Sequence, residues 1–178
     1  SHDEEGRFYI GDFGNNGPRR TSFVIYKFDP RTNTSEQITF RYPHQAAVAS
    51  KTPVDDCESL FYHKGNLYLF SKNWQKGQPV KLYKLPAVAG EYTATAVDSI
   101  RIDSPVTSAA VSPDGKTFAL LTYGKVLLFD VAGQDIDFSK PRGCFRFSHK
   151  QTEAIDFLNN TDMLITNEQG SMYRATFH

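Results

Sequence analysis

The sequence predicts an all-β protein, a β-propeller built of four-stranded antiparallel blades, and three observations carry that expectation. Hardly any stretch has the i, i+3, i+4 apolar spacing of an amphipathic helix; short alternating runs divided by Gly, Asn, Asp and Pro take its place. Three segments, Cys57 to Asn73, Thr107 to Tyr123 and Thr152 to Glu168, overlay on one another without a gap through their first half. The turn positions Gly6, Gly65, Gly115 and Asn160 lie 59, 50 and 45 residues apart, close to the period of propeller blades. A sandwich would not need the same four-strand grammar in each unit.

Each element follows from local chemistry. The first unit, residues 1–50, reads as a blade without its first strand: Arg7 to Asp12 is the second strand, Phe23 to Phe28 the third and Glu36 to Tyr42 the fourth. The second blade, 55–104, opens at Cys57, turns at Lys64-Gly65, and continues through Lys81 to Leu85 and Ala94 to Ile102. The third, 106–149, turns at Asp114-Gly115 and ends with Val126 to Asp130 and Gly143 to Ser148. The fourth, 151–178, turns at Asn159-Asn160, reaches Ser171 to Ala175, and lacks its last strand. All three turns offer residues that tolerate the positive φ of a two-residue hairpin. The result is about three and a half blades, a domain over 1–178 that is incomplete at its N-terminus and belongs to a larger, five- or six-bladed propeller.

Composition narrows the partners. Twenty Lys+Arg balance 20 Asp+Glu, and no basic run exceeds Arg19-Arg20, which argues against nucleic acid or an anionic membrane held by counterion release. An aromatic content of 13% supplies enough bulk for a core and excludes a disordered chain. The longest apolar clusters, Phe118 to Leu121 and Val126 to Phe129, fall far short of the ~20 residues of a transmembrane helix. The N-terminus has neither the basic nor the apolar region of a signal peptide. Cys57 and Cys144 fall on an inner and an outer strand and are expected to be free. A monomer is expected.

Propeller topology brings the start of each first strand and the loop after each second strand to one mouth of the central channel. The first-strand positions are Glu58, Ser108 and Glu153, taken as equivalent. The loops contribute Asp12, Asn15 and Asn16, then Lys72, Asn73 and Trp74, then Asn167 and Glu168. Such a set suits a small molecule, a glycan or a protein partner, with Trp74 able to stack on a planar ligand. Its carboxylates and amides also suit calcium, which takes six to eight oxygen ligands, with Glu58, Glu153 and Asn167 as the metal candidates. The same residues equally suit a water-filled channel lining, hydrogen-bonded to the backbone. No Gly-x-Ser-x-Gly elbow is present, and the five histidines lack zinc spacing or a nucleophile partner, so catalysis by a triad is disfavoured.

The Tyr9 to Asn16 run (Tyr-Ile-Gly-Asp-Phe-Gly-Asn-Asn), the Arg20 and Ile25-Tyr26-Lys27 pair, Asp56 to Ser59, Leu67 to Trp74 and Gln151 to Ile155 together resemble a group of uncharacterised secreted and surface propeller proteins of Bacteroidetes. That resemblance implies an extracytoplasmic location and further sequence upstream. More remotely, a Glu opening an inner strand is similar to gluconolactonase-type and phytase-like propellers, where a channel-mouth calcium serves hydrolysis. Two functions therefore stand: a binding module with a carboxylate- and amide-lined mouth, or a calcium-dependent hydrolase.

Overall fold

The structure is a computed structural model and describes residues 1–15, 20–46, 56–73, 77–147 and 151–177. Among these, every regular element is a β-strand except one 3-10 turn at Pro43–Ala46, so the all-β expectation holds. No described helix is long and apolar enough to cross a membrane. The chain forms two compact units, Ser1–Ser71 with Lys81–Val97, and Lys72–Val80 with Asp98–His178.

In the first unit, β1 (Phe8–Asp12), β2 (Phe23–Asp29) and β3 (Thr34–Arg41) form an antiparallel meander. Period-two alternation puts Phe23, Ile25, Ile38 and Phe40 on one buried face. A second meander runs through β4 (Cys57–His63), β5 (Asn66–Ser71) and β6 (Pro79–Pro86). Its Leu67, Leu69, Tyr83 and Leu85 join the first set in a single core. After β6 the sequence predicts one outer strand, and the structure has two. β7 (Gly90–Thr93) pairs parallel with β3, Ala94 donates its N–H to the Arg41 carbonyl, and β8 (Thr95–Arg101) then becomes the fourth strand beside β6. Ala94 is buried in the core at that crossing, which ties the two sheets together. The expected absence of a first strand before β1 is also not total: Tyr9 and Asp3 donate their N–H groups to the Ser1 and Arg7 carbonyls, a short antiparallel stub.

In the second unit, β9 (Val106–Val111), β10 (Thr117–Thr122) and β11 (Lys125–Ala132) form the meander. Its outer edge is shared by β12 (Asp135–Ile136), on Val131 and Ala132, and β13 (Gly143–Arg146), on Lys125 to Leu128. The three-stranded sheet β14 (Thr152–Phe157), β15 (Asp162–Asn167) and β16 (Met172–Thr176) packs Ile155, Phe157, Met163 and Ile165 against Ala119, Leu121, Val126 and Leu128. β10 is buried along its whole length, on both faces, which is why Thr117 to Leu121 reads as an almost unbroken apolar run. Cys57 in β4 is buried and Cys144 in β13 exposed, and the two are not joined in a disulfide.

Only one of the three expected hairpins is a two-residue turn of the kind that needs two positive φ angles. Lys64 (φ 45°) and Gly65 (φ 79°) join β4 to β5 in that way. After β9 the loop widens to Ser112 through Lys116, where the Ser112 hydroxyl and the Asp114 carboxylate hydrogen-bond within the loop. After β14, Asn159 Oδ1 accepts the N–H groups of Thr161 and Asp162, so neither Asn159 nor Asn160 enters the left-handed region.

Asp162, at the start of β15, then locks that hairpin. Its carboxylate accepts from Arg174 Nη2 (2.7 Å), Thr176 Oγ1 and Asn159 Nδ2 (2.7 Å). These bonds, Arg174's first, hold its pKa well below the usual carboxylate range. A depressed carboxylate stabilises the fold above its unfolded pKa of about 3.9 and loses that contribution as pH falls toward the folded value. Below about pH 4, urea unfolding should show the wild type losing stability more steeply than Asp162→Asn, which is the less stable of the two at neutral pH. Parallel acid limbs would remove this role for Asp162.

Candidate functional site

Each of three first strands breaks register once, near its start. In β4, Cys57 faces Ser71 and Ser59 faces Phe70, leaving Glu58 as the extra residue. In β14, Thr152 faces Asn167 and Ala154 faces Thr166, leaving Glu153. In β9, Val106 faces Thr122 and Ser108 faces Leu121, leaving Thr107. A β-bulge bends its strand and re-aims the extra side chain, and bulges gather near functional sites. The structural equivalents are thus Glu58, Thr107 and Glu153, which corrects Ser108 by one position. The β9–β10 loop is one residue longer than the β14–β15 loop, and an ungapped overlay cannot register that.

Around the Glu153 bulge the second unit assembles a polar set. The Thr107 hydroxyl donates to the Thr152 carbonyl (2.7 Å), and the Thr152 hydroxyl donates to the Thr122 carbonyl (3.0 Å), fastening β14 to β9 and β10. Tyr123, in the two-residue turn between β10 and β11, donates its hydroxyl to Glu153 Oε1 at 3.4 Å. Lys72 is 7% exposed, and its ammonium lies 5.9 Å from the centre of the Tyr123 ring, a cation–π distance. A cation, a phenol and a half-buried carboxylate therefore stand in a row, offering both donors and acceptors to a polar ligand.

The other predicted residues divide by what their side chains already do. Asn73 donates Nδ2 to the Ile102 carbonyl (2.6 Å) and accepts the Val106 N–H, so its amide braces the backbone leading into β9. Asn167 Oδ1 accepts the Ser171 N–H (2.8 Å), closing the turn into β16, and Glu168 in that turn is exposed. In the first unit, Asp12 pairs with Arg20 (2.7 Å), which holds its carboxyl below the usual range. Asn15 donates its backbone N–H to the Asp56 carboxylate at 2.6 Å. Asn16 and Trp74 lie outside the described residues. Tyr123, Arg20 and Asp56 were not predicted as site residues. Tyr123 was within reach, because it fills after β10 the slot that Lys72 and Asn73 fill after β5.

Among the described residues, no three His, Cys, Asp or Glu side chains gather into a metal-binding group. One lone pair of the Asn167 carbonyl accepts the Ser171 N–H, and Glu153 Oε1 accepts the Tyr123 hydroxyl.

Repeated antiparallel sheets with bulged first strands define an all-β repeat protein. No protein-family model and no curated protein sequence matches the chain. The fold is shared with the crystal structure of a protein from Bacteroides fragilis to which 6-phosphogluconolactonase activity has been ascribed, with a TM-score of 0.62 and 9% sequence identity. That superposition covers 97% of this chain and 49% of the other, so the chain spans about half the length of the structure it matches. At this identity the likeness speaks for the fold alone.

Proposed function

We propose that the chain is part of a larger β-propeller and acts as a binding module for a small polar ligand, with Lys72, Tyr123 and Glu153 as the recognition site. The observation that carries this reading is the approach of Tyr123 to the bulged Glu153, with Lys72 over the same ring. Four successive sheets, and a solved fold of about twice the length, support the propeller. An extracytoplasmic setting belongs to the proposal through the sequence resemblance. Calorimetric titration with 6-phosphogluconate, a stable polyhydroxylated anion, should detect binding that Lys72→Met and Glu153→Gln each weaken about tenfold or more. Unchanged affinity in both variants would exclude this set as the site.

A lactone hydrolase is the second reading, favoured by the likeness to the Bacteroides fragilis protein. Glu153 would take a proton from water as its oxygen attacks the lactone carbonyl carbon. The Lys72 ammonium would stabilise the resulting oxyanion, and the ring C–O bond would then break, its oxygen leaving with a proton. Hydrolysis of 6-phosphogluconolactone above the spontaneous rate, reduced about 10²-fold or more in Glu153→Gln, is the expected mark. Calcium is the cation such a mouth would take; a melting temperature unmoved by millimolar calcium removes it from the proposal.

A further inference from the structure

We infer that the chain pairs with a second copy of itself, the β14–β16 sheet of one copy covering the exposed side of β1 and β2 in the other. This pairing rests on the larger-propeller reading and supplies the rest of the propeller from the second copy, in place of the expected monomer. Ladder register shows why the exposed side is built to be covered. Two and four residues before the end of β1, Ile10 and Phe8 face Tyr26 and Phe28 and share one side of the sheet. The same rungs of β5 hold Leu69 and Leu67, facing Tyr83 and Leu85, and those of β15 hold Ile165 and Met163, facing Tyr173 and Ala175. The β5–β6 quartet is buried in one core with Tyr9, Ile25 and Ile38 of β1–β3. Met163 and Ile165 are likewise buried against Ala119, Leu121 and Val126 of β10 and β11, and Ala175 packs there too. The β1–β2 quartet has side chains as large, yet Phe8 is 46% and Ile10 55% exposed, with Tyr26 and Phe28 half-buried. Adjoining exposed apolar groups of this kind mark an interface.

The matching cover lies on β15 and β16. The side of β1 and β2 that covers the β5–β6 quartet presents Tyr9, Ile25 and Lys27, the Lys27 ammonium donating to the Ala87 carbonyl (3.2 Å) and standing 6.0 Å from the centre of the Tyr9 ring. On β15 and β16 the same three rungs hold Leu164, Met172 and Arg174, so two apolar side chains and a long cation recur in the same order. Met172 is 66% exposed there. Arg174 is already paired with Asp162 at 2.7 Å, so covering that side buries no unmatched guanidinium. Each exposed side is therefore one half of a contact that the first unit already makes between β1–β3 and β4–β6, and joining them across two copies would repeat it. A head-to-tail contact either closes or runs on into a filament. The chain matches 49% of the Bacteroides fragilis protein, so two copies supply the length of that fold, and closure at two is expected.

The test is analytical ultracentrifugation of the full chain over a range of concentrations. The wild type should sediment as a dimer, and Ile10→Lys and Met172→Lys should each weaken it about tenfold or more. An equimolar mixture of the two variants should regain a dimer, weaker than the wild type, because one contact between an unaltered β1–β2 side and an unaltered β15–β16 side survives in it. A wild type that stays monomeric, or that grows beyond a dimer with concentration, overturns the inference. So does a mixture of folded variants that stays monomeric, or a Met172→Lys dimer of unchanged strength, which would mean that two β1–β2 sides pair with each other. The wild-type mass decides the matter even if a variant fails to fold. A monomer that still binds 6-phosphogluconate would overturn the pairing alone, and a dimer that does not bind it would overturn the Lys72, Tyr123 and Glu153 site alone.

Discussion

Phe129→Ala is expected to lower the unfolding free energy by about 3–5 kcal/mol, the usual cost of removing a buried aromatic ring and leaving a cavity. Phe129 in β11 sits directly across from Phe118 in β10, and both are fully buried. Their rings stack with centroids 4.7 Å apart and planes 7° from parallel, and Phe138 closes the cluster at 5.3 Å from Phe129. Central strands buried on both faces give the cavity no route to solvent and little room to collapse. Phe129→Leu, which keeps most of the volume, should cost far less than the Ala change. Urea unfolding with an unchanged m-value is the measurement; a Phe129→Leu loss equal to that of Phe129→Ala would assign the stability to the ring stacking itself rather than to the filled volume.

Gly11→Ala is expected to cost about 1–3 kcal/mol or more, although Gly11 is a strand residue and alanine is ordinarily tolerated at such a backbone. A Cβ on Gly11 would lie 2.1 Å from Phe13 Cε1 and 2.6 Å from Cζ, well inside any real contact. The ring cannot swing away freely, because Phe13 is 4% exposed and wedged into the first unit's core. The glycine is therefore needed for close approach rather than for its dihedral freedom. Phe13→Leu, itself destabilising, should recover part of the loss when combined with Gly11→Ala, giving a double-mutant cycle that departs from additivity. Additive losses would mean the two residues do not collide. Since Phe13 directly follows Asp12 at the end of β1, the same substitution should also disturb the Asp12–Arg20 pair.

Much of this architecture is legible along the chain because strand identity is a local property. Alternation in Cys57 to His63, the apolar run at Thr117 to Leu121, and the Lys64-Gly65 turn each state their conformation within a few residues. The site is legible only in part. Glu58 and Glu153 could be singled out by repetition, but that both are bulged could not, since a bulge is a mismatch between two strands. Asn73 and Asn15 look alike in sequence, yet one amide is fully used by backbone and the other keeps an unmet donor.

By itself, then, the sequence determined the all-β class, the recurring strand–turn–strand units, the balanced charge and the strand ends where chemistry could gather. The tertiary structure decided the parallel addition of β7 to β3, the division of the outer strand between β12 and β13, and the register that replaces Ser108 with Thr107. It also brought Tyr123 to Glu153 across 30 residues of chain and Asn15 to Asp56 across 41. Periodicity and turn chemistry act between neighbours and survive in one dimension. Hydrogen-bond partners and bulges depend on which distant strands meet, and that is settled only when the apolar faces pack.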